Sequence, residues 1–189
     1  MKIAVCVPTH NEPDEVVNKV MFYINQAVGE GHIISRVNDK DSLGKGFALR
    51  EASRAVEADY YIFIDGDGDI DPSQIKTIFY YLTQGYDVVV GKKQMPHKWS
   101  RKLLTWMSRV WIYILFGLAV DTQTGLKGFN YRPDWHLNGW AFDIEILHRA
   151  KKMKKKMIEI PVHAVVSSGE KWQDIASTLR DTIKLRFGL

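Results

Sequence analysis

The apolar run Tyr60-Tyr61-Ile62-Phe63-Ile64 stops abruptly at Asp65-Gly66-Asp67-Gly68-Asp69-Ile70-Asp71-Pro72. A short run rich in aromatic and β-branched residues predicts a buried strand. The acids then emerge at its carboxyl end, with Gly66 allowing a sharp backbone turn. In an open α/β sheet that end points into the crevice where ligands bind. Asp65, Asp67 and Asp69 are hard oxygen donors of the kind that suit Mg²⁺ or Mn²⁺ carrying a diphosphate. Turn chemistry accounts for Asp71 and Pro72, as the N-cap and first position of the next helix. It does not account for the other three acids, whose mutual repulsion costs energy unless a cation neutralises it. An EF-hand loop is excluded, because Ile70 falls where that loop needs Gly and Lys76 where it needs Glu.

The rest of the chain alternates in the same way. Lys2 to Val7 is a short apolar strand that runs into Pro8-Thr9-His10-Asn11-Glu12-Pro13. A helical pattern follows through Val16, Val17, Val20, Tyr23 and Ile24, with Asn11 or Asp14 as its cap. Next come Leu43-Gly44-Lys45-Gly46 and Phe47-Ala48-Leu49-Arg50-Glu51-Ala52, where Gly44 and Gly46 let backbone N–H groups approach a ligand. Strands alternating with helices argue for an α/β fold. A chain of 189 residues with 46% hydrophobic content can bury a full core as one domain over 1–189. Cys6 lies inside the first strand and has no second cysteine to pair with, which fits a reducing, cytoplasmic compartment. The apolar stretch after Lys2 ends at Pro8 and is too short for a signal peptide.

Val7-Pro8-Thr9-His10-Asn11-Glu12, Gly44-Lys45-Gly46 and Asp65-Gly66-Asp67 stand in this order, each at the end of an apolar run. Together they resemble a family-2 glycosyltransferase of the GT-A fold. Asp121-Thr122-Gln123-Thr124-Gly125-Leu126-Lys127-Gly128-Phe129 and Trp140-Ala141-Phe142-Asp143-Ile144-Glu145 are similar to its dolichyl- and polyprenyl-phosphate mannose and glucose synthases. The resemblance runs from about Ile3 to about Trp172. It implies a Rossmann-like sheet, mostly parallel, and an inverting transfer from a nucleoside-diphosphate hexose, UDP-glucose or GDP-mannose. Pro8, His10 and Glu12 then belong to the loop around base and ribose. Gly44 and Lys45 line the nucleotide site, and Lys45 is either a ligand contact or a surface residue. Asp65, Asp67 and Asp69 hold Mg²⁺ or Mn²⁺, with Asp67 as the catalytic metal ligand. Gln123 and Lys127 reach the donor. Asp143, near the amino end of a helix, is the candidate base for a hydroxyl acceptor; a polyprenyl phosphate is already anionic and needs none. Two residues apart on a helix means about 200°, so only one of Asp143 and Glu145 faces the site, leaving Glu145 to accept from a neighbouring Arg or Lys.

The chain also departs from that pattern. The family's second strand ending in D-D-x-S is replaced by His32–Val37, followed by Asn38-Asp39 and Asp41-Ser42. Asn38-Asp39, with Asp39 as the nucleotide-binding candidate, or Asp41-Ser42 stands in for the missing acid, and uridine and guanosine both remain open. The late pattern R-x-x-G-x-S-K becomes Val166-Ser167-Ser168-Gly169-Glu170-Lys171, without the arginine. Phosphate clamping then falls to Lys171, Lys127, Arg132 or Arg101.

Charge is uneven along the chain. No Asp or Glu lies between Asp87 and Asp121, whereas Lys92, Lys93, Lys98, Arg101, Lys102 and Arg109 do. Trp99 to Leu118 reads as a helix with Lys98, Arg101, Lys102, Thr105, Ser108 and Arg109 on one arc and Trp99, Leu103, Trp106, Met107, Val110 and Trp111 on the rest. Its uncharged stretch, Val110 to Val120, is shorter than the roughly 20 residues of a membrane span. It is either a core helix or an amphipathic helix lying on a membrane. The resemblance favours the second, with a lipid-phosphate acceptor and peripheral membrane contact. A lysine-rich run from Arg149 to Lys156 offsets a helix dipole or adds attraction to anionic lipid. Nucleic acid is not an expected partner, because the central cleft is acidic and no nucleic-acid module is present. A soluble transferase with a hydroxyl acceptor and a non-catalytic nucleotide-binding module are the alternatives. A nucleotidyltransferase would need a Gly-rich basic loop after the first strand, and Val7–Glu12 is not one.

Overall fold

The computed structural model describes the backbone at residues 1–94, 99–164 and 172–188, and the side chains of all of these but 99–105 and 172–177. Lys171 and the segment Val166–Glu170 lie outside the described residues, as do the side chains of Lys98, Trp99, Arg101, Lys102 and Leu103.

Six strands form one sheet: β1 (Ile3–Thr9), β2 (His32–Asn38), β3 (Tyr60–Phe63), β4 (Val88–Gln94), β5 (Lys127–Phe129) and β6 (Met157–His163). Their order is β2-β1-β3-β5-β4-β6. All pairings are parallel except those of β5, which runs antiparallel between β3 and β4. This is the mostly parallel α/β sheet expected. His32–Val37 does serve as the second strand, in register with Ile3–Pro8. β1 runs on through Pro8 and Thr9, beyond the predicted end at Val7. Its pairing with β3 stops at Cys6, so Pro8 lies where β1 has a partner on one side only, a position that tolerates a residue without an N–H.

Side chains alternate across the sheet with period two. Val5, Val7, Ile62, Ile64 and Val89 face one layer, built by α1 (Asp14–Val28) and α3 (Ile75–Thr83). Ala4, Cys6, Tyr61, Phe63, Val88 and Val90 face the other, built by α2 (Lys45–Arg54), α4 (Trp99–Phe116) and α5 (Phe142–Lys152). Gly128 on β5 is needed for this closeness, since a Cβ there would lie 2.3 Å from Ile78 of α3. Cys6 is a core residue whose thiol burial pushes up to about 12.

Two helix starts are instructive. Asp71 accepts from the Ser73 N–H at 2.9 Å with Pro72 next, so the expected cap forms over the 3₁₀ turn Pro72–Gln74 that leads into α3. α1 differs: Pro13 is its N-cap and no side chain caps it, so neither Asn11 nor Asp14 has that role. Asn11 instead takes a left-handed turn, φ 59°, and the Glu12 carboxylate accepts from the His10 N–H. Glu12 therefore has a local partner that the sequence did not reveal.

α4 ends at Phe116, two residues before the predicted Leu118, where Gly117 takes φ 63° and its N–H bonds to the Tyr113 carbonyl. Lys151 of α5 donates to the last carbonyls, Phe116 and Gly117. α4 packs one face into the core and leaves the other exposed. Ile112 and Phe116 are buried in the core, with Trp111 and Leu115 packed beside them. The opposite face leaves Trp106, Met107, Val110, Tyr113 and Ile114 exposed, at 61%, 54%, 36%, 60% and 71%. The last helix, α6 (Trp172–Phe187), meets α4 through a Trp111 Nε1 to Thr182 Oγ1 bond of 3.2 Å. Among the described residues, no helix is long and apolar enough to cross a membrane.

Candidate active site

β3 delivers Asp65 and Asp67 to the carboxyl edge of the sheet, as its apolar run predicted. Asp65 is half-buried and faces the first residue of α2: the Lys45 ammonium lies 2.6 Å from its Oδ1. Burial pushes the Asp65 carboxyl upward, but the charges of Lys45, Lys93 and Lys127 outweigh it and hold the group below its ordinary range. Burial likewise opposes charge on Lys45, and Asp65, Asp143 and Asp67 reverse that and raise it. Lys45 is thus neither a bare surface lysine nor a free phosphate ligand; it neutralises Asp65.

Gly125 forms the other wall. A Cβ there would lie 1.9 Å from Asp65 Oδ2, so only glycine leaves room for the carboxylate. Gly66 is equally constrained, with Thr9 Cγ2 at 2.6 Å from its would-be Cβ. Asp67 is exposed, and its Oδ1 accepts from the Asp69 N–H at 3.0 Å. Although part of the residue faces solvent, partial desolvation of the carboxyl, with Asp65 and Asp69, pushes it up, against that backbone bond and Lys45. Asp69 is buried at 6% exposure, with Lys93 Nζ 3.7 Å away.

Behind this edge lies a second pair, and this one is buried. Lys127 Nζ is 2.8 Å from Asp143 Oδ1 and also donates to the Thr124 carbonyl. Both side chains are almost wholly buried, at 1% and 4% exposure. Burial raises Asp143, opposed by Lys127 and Lys45. Lys127, expected to reach a phosphate, instead neutralises Asp143. The parity argument for α5 is met. Asp143 looks toward Lys127 and Lys45, while Glu145 turns away to accept from Arg149 at 3.0 Å and from the backbone N–H groups of His136 and Leu137. Burial pushes Glu145 up, and those donors bring it below its ordinary value.

Of the residues expected on the nucleotide side, His10, Asp39 and Gly44 gather around the start of α2. Asp39 is buried, and its two oxygens accept from the N–H groups of Leu43 (2.8 Å) and Gly44 (2.7 Å). Its carboxylate thus shapes the loop rather than standing free for a base. His10 Nδ1 lies 2.7 Å from the Asp39 carbonyl, which joins the first loop to the second. Gly44, at φ 111°, and Gly46 pass so close to the Asn138 carbonyl that a Cβ would lie 2.4 Å and 2.9 Å from it. The Trp135 indole N–H bonds to the Gly46 carbonyl at 2.9 Å. Trp140 is half exposed, with Lys45 Nζ 5.4 Å from its ring, a placement beside Asp65's partner that sequence reasoning passed over. Pro8 is buried in β1, and Gln123 is exposed in a turn closed by Asp121. Arg132 stands apart: with Lys2, Asp59 and Tyr61 it lines a groove of about 530 Å³ at the amino ends of β1 and β3. That is the opposite edge from Asp65, so Arg132 is not a phosphate clamp for this site.

The sequence profile of Glycosyl transferase family 2 matches residues 23–167. The chain belongs to glycosyl transferase family 2. Among curated family relatives it is 24% identical over 170 residues to a dolichyl-phosphate beta-glucosyltransferase of Dictyostelium discoideum, covering 78% of this chain and 52% of that one. It thus spans about half the length of that relative. It is 22% identical to an undecaprenyl-phosphate mannosyltransferase of Micrococcus luteus, covering 86% of this chain and 83% of that one. Among solved structures, glucosyl-3-phosphoglycerate synthase of Mycobacterium tuberculosis in complex with Mn²⁺ and UDP-glucose superimposes with a TM-score of 0.76. That match is at 16% identity and covers 100% of this chain and 79% of the other.

How a divalent cation fits this family 2 site follows from the geometry. Among the described residues, no three His, Cys, Asp or Glu side chains converge into a closed metal cage. Asp69 is turned toward Lys93, and Asp65 toward Lys45. Mg²⁺ and Mn²⁺ carried by a diphosphate need only one or two carboxylates, the phosphates and water supplying the rest. Asp67, exposed and crowded by two like charges, fits that demand, with Asp65 behind it.

Proposed function

We propose that the chain transfers a hexose from a nucleoside-diphosphate sugar to a polyprenyl phosphate, with inversion, at the carboxyl edge of β3. The observation that carries this reading is Asp67, an exposed carboxylate beside the half-buried Asp65–Lys45 pair. Asp67 and Asp65 would hold Mg²⁺ or Mn²⁺, which when bound offsets negative charge on the departing diphosphate. Lys45 keeps Asp65 ionised and fixed. The loops of His10–Glu12 and Asp39–Gly44 frame the nucleotide, and Trp140 offers its ring at the entrance. Rate acceleration comes from positioning and from preorganised charge.

The acceptor side supports a lipid phosphate over a hydroxyl. A hydroxyl acceptor requires a base in reach, and Asp143 is buried and paired with Lys127. An acceptor whose oxygen is already anionic requires none, and Asp143 then orders Lys127 and the Thr124 carbonyl. The exposed face of α4, from Trp106 to Ile114, would lie against the bilayer with its aromatic residues at the interface. The curated relatives named above act on dolichyl and undecaprenyl phosphate, which agrees with that orientation.

The test is a panel of nucleotide sugars with and without Mn²⁺, read by thermal shift and by transfer to a short polyprenyl phosphate in vesicles. A donor that raises Tm only with Mn²⁺, and is consumed only when the lipid phosphate is present, supports the reading. Transfer to soluble hydroxyl acceptors alone would replace it with the soluble transferase.

A further inference from the structure

We propose that Glu159, on the outer strand β6, is a positioning residue that holds the segment Asp121–Leu126 in place and so aligns Asp65 and Lys127. The inference rests on the reading that those two groups belong to the reaction centre. Glu159 touches neither of them. Its Oε2 accepts from the Asp121 N–H at 2.6 Å and from Arg109 Nη2 at 3.1 Å, and Lys92 Nζ lies 2.9 Å from its Oε1. Three elements therefore meet on one carboxylate: β4 through Lys92, α4 through Arg109, and the segment that begins at Asp121.

That segment contains no helix or strand, so its course is set by side-chain and isolated backbone bonds. Asp121 Oδ1 accepts from the Gln123 N–H at 3.0 Å, which closes the first turn. Thr122 and Thr124 are buried behind it. The Thr124 carbonyl then accepts from Lys127, Gly125 backs onto Asp65, and the Leu126 carbonyl accepts from the Gly91 N–H at 2.9 Å. One end of the segment is thus fixed by Glu159 and the other forms the wall of the site. With a would-be Cβ only 1.9 Å from Asp65, a shift of Gly125 by a fraction of an ångström is felt by that carboxylate. Because Arg109 sits on α4 between Trp106 and Tyr113 in sequence, the same tie links the exposed face of α4 to the reaction centre.

The experiment compares wild type, Glu159→Ala, Glu159→Gln and Arg109→Gln by hydrogen exchange and by donor turnover. Glu159→Ala is expected to speed amide exchange across 121–126 about tenfold without a comparable change in β1 or β3. Its kcat, per folded protein, should fall about tenfold with donor KM little changed, since small misplacements cost turnover more than binding. Glu159→Gln keeps an oxygen for the Asp121 N–H and should recover most of both. Arg109→Gln keeps the Lys92 and Asp121 N–H contacts to Glu159 but also removes the Arg109–Asp121 pair at 3.9 Å; it should give a smaller change of the same kind and serves if the alanine variant does not fold. Unchanged exchange over 121–126 overturns the proposal. So does faster exchange with wild-type kcat, because Glu159 would then be a structural anchor only. A protein inert toward every nucleotide sugar would remove the functional reading, and the exchange comparison would still decide what Glu159 holds.

Discussion

Gly125→Ala adds one methyl group where the structure has no room for it. The new Cβ would lie 1.9 Å from Asp65 Oδ2, 2.3 Å from its Cγ and 2.8 Å from Oδ1. Carbon atoms do not approach oxygen below about 3 Å, so the carboxylate must retreat by about 1 Å or Gly125 must swing away. Neither is easy. Asp65 is held by Lys45, and Gly125 sits between Thr124, which binds Lys127, and Leu126, which binds Gly91. Overpacking of this kind costs about 1–3 kcal/mol. In a chain of 189 residues that lowers Tm by roughly 2–4 °C per kcal/mol. The larger effect is on turnover, since a misplacement of about 1 Å in a reacting constellation can cost about a hundredfold. Steady-state transfer from the preferred donor, measured well below the variant's Tm, should show a loss in kcat of that order. A Gly125→Ala protein with wild-type kcat would refute the claim that Gly125 shapes the space around Asp65.

Lys45→Met leaves Asp65 without its cation and should destabilise the fold by about 3–5 kcal/mol at neutral pH, as breaking a largely buried pair does. The sign with pH follows from Asp65, whose value in the wild type is lowered from 3.8. Wild-type stability from this group is present above 3.8 and lost as pH falls through the lowered value, whereas the uncompensated Asp65 of the variant gains by protonation. The gap in Tm between the two proteins should therefore narrow as pH falls; a constant gap would count against the pair. Asp67→Asn should abolish Mn²⁺-dependent donor binding in calorimetry yet raise Tm slightly without metal, because it removes repulsion from Asp65 and Asp69; a lower Tm would contradict that repulsion. Wild-type Mn²⁺ binding should weaken on acidification at pH values above 3.8, since the Asp67 carboxyl is raised. Tyr113→Glu with Ile114→Glu should cut co-sedimentation with anionic vesicles by more than about tenfold, given about 1.5–3 kcal/mol per apolar side chain buried. Tm should stay unchanged because both positions are exposed, and undiminished co-sedimentation would remove α4 from the membrane face.

The parts of this fold that were legible in the sequence are those set by local pattern. β3 and the acids after it follow from an apolar run ending in turn formers, and the cap at Asp71-Pro72 follows from local chemistry. The opposite orientations of Asp143 and Glu145 follow from helix geometry alone. What pattern could not reach is pairing across the chain. β5 is only Lys127–Phe129, and it exists because β3 and β4 each offer it an edge. Lys45 and Lys127 read as ligand or surface cations because nothing nearby in sequence says that Asp65 and Asp143 will lie against them. Asp39 and Glu12 read as free acids for a nucleotide, and both spend oxygens on backbone N–H groups of their own loops. Glu159 sits in a strand with no motif around it, and its three donors come from three other parts of the chain. Trp140 had a visible signal, a large aromatic residue three positions before Asp143, but its exposure beside Lys45 appears only in three dimensions.

The central claim is tested most directly by following a radiolabelled hexose from its nucleotide donor into polyprenyl phosphate, with Mn²⁺ present, in wild type and in Asp67→Ala. Labelled lipid should form with wild type, disappear on chelation of the metal, and be absent in the variant while its circular dichroism and cooperative unfolding remain those of a folded protein. Metal-independent transfer, or full transfer by a folded Asp67→Ala protein, would contradict the account.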